Sequence, residues 1–225
     1  MNIIKPYARM LPLIGSALGF FSADDGLCLL KHIEWCARIS HRSEDAVTPD
    51  SYDRLLRSVV LQHGDWSVVE HASVSVDFYV DRGITHELVR HRLFAFTQES
   101  TRFVNYEKKM PPSFVRPDLS NTEAELIWES AIVSAEHFYR SMLQHGCPPQ
   151  IARSVFPNAL ASRIIITGNL RNWRHFLLMR TTKEAHPQMR EVTIPLLKEF
   201  KAKIPIFYED IEPLAKQSDN LRKGR

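Results

Sequence analysis

Residues 71–80, HASVSVDFYV, alternate in chemistry: Ala72, Val74, Val76 and Phe78 are apolar, and Ser73, Ser75 and Asp77 between them are polar. A period of two cannot line one face of a helix. It requires a strand with one buried side and one polar side. Much of the rest carries the helical period instead. Residues 24–40 and 50–63 place apolar residues at helical spacing, the second with Asp50 or Ser51 as its N-cap. Gly83 is expected to break the strand, and residues 84–92 (ITHELVRHR) read as a short helix capped by Thr85. Residues 111–121, rich in Pro and Ser, read as a surface loop. A long helix follows over 122–145 and ends at Gly146, before Pro148 and Pro149. A short helix at 149–155 is closed by Pro157. Residues 162–168 (SRIIITG) form a β-branched strand that stops at Gly168. Asn169 then caps a helix reaching about Met179, and 186–203 is a last amphipathic helix. With no repeat, linker or low-complexity tract, residues 1–225 read as a single α+β domain.

Composition narrows the function classes. A chain of 225 residues, 44% hydrophobic, can bury a sizeable core. Its net charge of +3 is far below the polybasic signature of a general nucleic-acid binder. Cys28, Cys36 and Cys147 form no C-x-x-C pair, which argues against a disulfide framework and a zinc site and suits a reducing cytoplasm. Cys28 and Cys36 fall in a helical pattern and read as small buried residues. The apolar run 11–21 is interrupted by Pro12, Gly15 and Gly19 and is too short to span a bilayer. The expectation is a cytoplasmic protein with no membrane segment and no nucleic-acid partner.

The densest chemistry lies in residues 86–103, HELVRHRLFAFTQESTRF. The segment looks like the zinc-protease signature H-E-x-x-H, but its histidines are five residues apart. On a helix they would point about 140° apart, so they cannot share a metal, and no metal site is expected. What remains is a cluster of fixed cations. Arg90, His91 and Arg92 are consecutive, so they can fan towards different groups of a large anion, and arginine's planar fork suits phosphate. Thr97, Gln98, Ser100, Thr101 and Arg102 add orienting groups for a second polar ligand. Phe94, Phe96 and Phe103 read as core behind them. The cationic theme recurs at Arg153, Arg171, His175 and Arg180, with Arg171 and His175 sharing a helix face. Ser100 has no Asp–His pair placed to activate it, so binding fits it better than nucleophilic catalysis. Trp173 and Phe176 read as core, and Arg174 as a solvated helix residue.

In order along the chain, EHASVSVDFYV, RHRLFAFTQES, IARSVFP and GNLRNWRHFLLMR resemble the signature blocks of flavin-dependent thymidylate synthases, the ThyX family. The resemblance covers roughly residues 30–205. It implies a small antiparallel sheet flanked by helices and a flavin bound without the glycine-rich Rossmann turn, which this chain of 8 glycines lacks. It also implies a reaction: reductive methylation of dUMP, with methylenetetrahydrofolate as carbon donor and NADPH supplying hydride through FAD. Carried over by matching residue, Arg180 stabilises charge on the uracil ring. Glu87, Leu88, Val89, Arg90, Gln98, Glu99, Ser100, Thr101, Arg102 and Arg153 match the dUMP site. Ser73, Arg90, His91, Arg92, Gln98, Asn169, Leu170, Arg171 and His175 match positions around FAD, and His71 matches a histidine beside the flavin. The family's sites form between protomers of a homotetramer.

Some positions depart from the family pattern. Glu184 and His186 follow Arg180 where a histidine and then an acid or Gln are usual. Phe103 replaces a tyrosine, and Glu99 an aliphatic residue. These leave a related pyrimidine hydroxymethylase open as an alternative. A small basic nucleic-acid binder would use the same residue types, although here the cations are dispersed rather than run together.

Overall fold

The computed structural model describes residues 1–12, 22–108 and 110–216. Gly15 and Gly19, the breaks expected within the N-terminal apolar run, lie outside the described residues. The strands are β1 (Asn2–Ile4), β2 (Tyr7–Met10), β3 (Ser73–Asp81), β4 (Ala95–Gln98), β5 (Ser113–Val115) and β6 (Ala161–Asn169). The helices are α1 (Ala23–Ile39), α2 (Ser51–Leu56), α3 (Arg82–Leu88), α4 (Thr122–Gln144), α5 (Pro149–Ala152), α6 (Leu170–Arg180) and α7 (Pro187–Lys203). A π-helical stretch over Arg57–Gln62 continues α2, and a short turn over Arg153–Val155 continues α5. The fold is α+β, with a small antiparallel sheet of order β2-β3-β6-β4 flanked by helices. Strands β1 and β5 form a separate parallel pair, with Asn2 opposite Ser113 and Ile4 opposite Val115. Among the described residues, no helix is long and apolar enough to cross a membrane.

The chain divides into two compact units. The first comprises Met1–Tyr7, Phe78–Arg90 and Phe96–Ile165; the second comprises Ala8–Asp77, His91–Ala95 and the chain from Ile166 onward. In the first unit, Phe114, Ile132 and Leu160 form one core cluster, and Tyr106, Tyr139 and Ala152 another. Phe156 packs against both and stacks on Tyr139, with ring centroids 4.4 Å apart. In the second unit Trp173 is fully buried, and its indole N–H donates to the Val74 carbonyl of β3 at 2.9 Å. That bond satisfies the one polar atom of the largest core side chain. Tyr208, also buried, donates to the Leu170 carbonyl at 2.8 Å.

The helix ends follow local chemistry. Asn169 caps α6 by accepting from the Asn172 amide at 2.8 Å. Just past the end of α4 stands Gly146, whose φ of +82° suits glycine. The Gly146 and Cys147 amides turn back to the Leu143 and Met142 carbonyls, a Schellman closure.

Several expectations are corrected. Gly83 lies inside α3 rather than ending β3, and the cap of α3 is Asp81, which accepts from the Ile84 amide at 2.9 Å. Thr85 is instead buried within that helix. Asp50 occupies the cap position of α2 without a side-chain capping bond. Residues 111–121 contain β5, and β1, β2 and β4 went unpredicted because strands of three or four residues barely establish a period. Cys28 is exposed and Cys36 and Cys147 are partly exposed, so none is a core residue; all three are free thiols. Phe103 is 74% exposed, and Phe94 and Phe96 are half-buried. Arg174 is buried, not solvated. Its guanidinium donates to both Asp210 carboxylate oxygens at 2.7 Å and lies over the Trp66 ring. Trp173 and Phe176 are core residues, as expected.

Candidate active site

The candidate residues divide between the two units. In the second unit, the order strand–cap–helix places Asn169, Leu170 and Arg171 at the N-terminus of α6, where amide groups and helix dipole favour an anion. Arg171 is exposed there and pairs with Glu70 at 2.5 Å. Leu170 offers little to a ligand. Its side chain is fully buried, its amide donates to the Ala72 carbonyl, and its own carbonyl accepts from Tyr208. His71, just before β3, and Ser73, at its start, are exposed, as is His175 on α6.

At the far end of α6, Arg180 meets His91. The Arg180 Nε donates to the His91 Nε2 at 2.8 Å. The imidazole sits edge-on to Phe176, with centroids 4.9 Å apart, and to Phe94 at 6.5 Å. Burial, reinforced by the positive charges of Arg180 and His175, pushes the His91 pKa down to about 4. The imidazole is therefore neutral near pH 7 and can act as an acceptor. Its neighbours in sequence differ: Arg90 (first unit) and Arg92 (second unit) are both exposed, and neither side chain meets a carboxylate among the described residues.

In the first unit, Glu87 is half-buried on α3, Leu88 is core, and Val89 and Arg90 are exposed just past the helix end. Because α3 stops at Leu88, His91 does not continue the helix that carries His86. Gln98 Nε2 donates to Thr85 Oγ1 at 3.0 Å and Ser162 Oγ at 3.1 Å, so both its hydrogens have protein partners. Ser100 Oγ accepts from the Arg102 amide at 3.3 Å and shapes a turn, and no histidine hydrogen-bonds it among the described residues. Thr101 is buried and accepts from Arg153 Nη1 at 2.7 Å. Arg102 is exposed over the Phe103 ring.

Two of the departures, Glu99 and His186, have local explanations. Glu99 accepts a 2.6 Å hydrogen bond from Tyr106, whose phenol is pushed far above its ordinary range by burial and by that carboxylate. His186 is the N-cap of α7 and accepts from the Gln188 amide at 3.3 Å.

Sequence reasoning did not name Ser162 or Tyr106, and it gave Thr85 only a cap role and Phe94 only a core role. One signal was present. Ser162 has the parity of Ile164 and Ile166 along β6, and a polar residue on a core-facing row needs a partner. A cavity of about 450 Å3 in the second unit, lined by Val60, Trp66, Arg174, Ile206 and Asp210 among others, contains none of the candidate residues.

The fold is α+β, and each unit carries exposed arginines among the candidate residues. Residues 30–206 match the family described as thymidylate synthase complementing protein. A flavin-dependent thymidylate synthase from Corynebacterium aurimucosum is 31% identical over 194 residues, covering 79% of this chain and 78% of that one. A flavin-dependent thymidylate synthase from Pyrococcus furiosus is 30% identical over 198 residues, covering 83% and 78%. A solved UMP/dUMP methylase, PolB from Streptomyces cacaoi bound with 5-Br dUMP, shares the fold with a TM-score of 0.70 at 23% identity, covering 93% of this chain and 96% of that one. The chain belongs to the flavin-dependent thymidylate synthase family.

Proposed function

We propose that this protein is a flavin-dependent thymidylate synthase that methylates dUMP at C5, taking the carbon from methylenetetrahydrofolate and reducing equivalents from NADPH. One observation carries the reading: Arg90 and Arg92 are exposed and face no carboxylate among the described residues, in a chain whose family match spans residues 30–206. Surface arginines left without carboxylates are suited to phosphate. Arg171, paired with Glu70 at the N-terminus of α6, adds a guanidinium beside amide groups suited to an anion. FAD, when bound, supplies the hydride chemistry that no side chain here can provide.

The protein's own residues bind and polarise. Arg90, Arg92, Asn169, Arg171 and His175 would hold the flavin nucleotide, with Ser73, His71 and the backbone near Leu170 beside it. Arg153 and Arg102 would meet the dUMP phosphate, with Thr101 orienting Arg153 and Ser100 shaping the turn. Gln98, with both amide hydrogens engaged, can offer a ligand its oxygen. Uracil C5 is a weak nucleophile, and Arg180 at the N3/O4 edge would stabilise the negative charge that develops as C5 attacks. Its guanidinium stays charged at any working pH. Glu99 and His186 have structural partners, so they do not argue for a hydroxymethyl product.

We place the enzyme in the cytoplasm and read residues 1–225 as one domain, because each unit is assembled from three separate chain segments. We also propose a homotetramer with sites shared between protomers; the exposed apolar side chains of α4 support self-association. The test is flavin absorbance of the purified protein with FAD. NADPH should bleach it, and dUMP with methylenetetrahydrofolate should restore it, yielding dTMP by mass. A protein that retains no flavin absorbance once excess FAD is removed, or that yields a hydroxymethyl product, refutes the assignment.

A further inference from the structure

We propose that His91 is a positioning residue for Arg180, accepting a hydrogen bond from the guanidinium Nε and so fixing the plane in which the rest of the group acts. This deepens the reading of Arg180 as the residue that stabilises charge on the pyrimidine, and rests on it. An arginine has a single N–H on the stem side of its fork. Holding that one orients the two terminal nitrogens together. At 2.8 Å, the Arg180–His91 contact is a direct hydrogen bond.

The imidazole is itself fixed. Phe176 and Phe94 hold its edges. Phe94 in turn packs on the Trp173 ring, with centroids 4.7 Å apart, and lies against the backbone of Gly168. A Cβ at position 168 would fall 2.3 Å from the Phe94 ring, so any side chain there would displace Phe94. One residue earlier, the Leu93 carbonyl accepts from Asn172 Nδ2 at 3.1 Å. The short segment carrying His91 is thus pinned to the β6–α6 junction at two consecutive residues. From the other side, Thr193 on α7 donates to the Arg180 carbonyl at 2.8 Å, holding the backbone end of the same side chain.

The identity of the partner also follows from the chemistry. A carboxylate would hold the guanidinium equally well but would neutralise the charge the reaction uses. A lysine could not accept a hydrogen bond. A neutral imidazole holds the nitrogen and leaves the cation undiminished. His91 is kept in that form by burial and by the charges of Arg180 and His175 on α6, with Arg90 and Arg92 adjoining it in sequence. A histidine between two arginines thereby acquires a purpose distinct from phosphate binding.

The experiment pairs nitrogen NMR of the wild-type protein with kinetics of two variants. Protein labelled at histidine and arginine nitrogens should show His91 as the Nδ1–H tautomer, with an unprotonated Nε2 coupled to the Arg180 Nε–H. His91→Phe keeps the ring packing but removes the acceptor. It should lower the methyl-transfer rate constant about 10-fold or more, the scale of one hydrogen bond to a charged group, while dUMP affinity stays within about twofold. His91→Gln, whose amide oxygen can accept, should recover most of the rate. A proton on Nε2 at neutral pH overturns the proposal, and this result decides the case even if the Phe variant fails to fold. Equal turnover by wild type and His91→Phe removes the positioning role alone. Absence of dUMP methylation in the wild type removes the underlying reading of Arg180, and this role with it.

Discussion

Helices α6 and α4 spend their side chains in opposite ways. Of the 11 residues of α6, six are buried: Leu170, Trp173, Arg174, Phe176, Leu177 and Leu178. Of the 23 residues of α4, only Ile132, Glu136 and Tyr139 are buried. On α4, Leu126, Ile127, Val133 and Phe138 are each more than half exposed. By helical geometry these four fall within an arc of about 140°, opposite the buried row. α6 is held from within its own chain, and its two ends carry Arg171 and Arg180. α4 displays more apolar surface than its own chain covers. The difference teaches that the protomer itself anchors the helix carrying Arg171 and Arg180, whereas α4 leaves apolar surface for a partner copy.

The comparison breaks first at Trp173. Trp173→Ala removes the largest core side chain of α6 and leaves the Val74 carbonyl without its donor, so it should cost about 3–5 kcal/mol in urea unfolding. A loss no larger than that of Phe138→Ala on α4 would mean α6 is not the better-held helix.

Arg180→Lys sharpens the comparison at the chemical end of α6. Lysine retains the charge but loses the planar fork, and the methyl-transfer half-reaction should slow about 100-fold. Flavin reduction by NADPH, in which the uracil ring does not react, should suffer far less. Equal slowing of both half-reactions would make Arg180 a binding anchor.

A smaller effect is expected from acid. The His91 pKa is depressed from 6.5 to about 4 in the folded state. Between those values the unfolded chain binds the extra proton, so the contribution is present above pH 6.5 and is lost as pH falls towards 4. The thermal midpoint should drop across that window, and less steeply in His91→Phe. Identical acid limbs in both proteins would assign the loss to other groups.

The smallest effect on the fold itself should come from Ile127→Glu combined with Phe138→Glu. Both positions are exposed, so the protomer's own folding free energy should shift by no more than about 0.5 kcal/mol at each. The mass in solution, by light scattering, should fall. An unchanged mass would place the interface away from α4.

Much of the architecture was determined by sequence alone. Asn169 followed by an apolar helical run, Gly146 after a long one, and alternation through residues 72–78 are local signals, because caps and periods act over three to five residues. The cationic candidates were legible for the same reason: R-H-R is read without knowing what surrounds it. Only the tertiary structure decided which cations are committed. Arg174 and Arg171 share one helix and one residue type, yet Arg174 is buried against Asp210 and Trp66 while Arg171 stays at the surface and pairs there with Glu70. Their facing depends on what packs against α6, and those partners lie far away in sequence. The same holds for His91. Its neighbours gave it a phosphate-binding look, but an imidazole's protonation is set by burial and by a guanidinium 89 residues further on. A chain can state its periods and charges locally. Desolvation and pairing belong to contacts that exist only once it has folded.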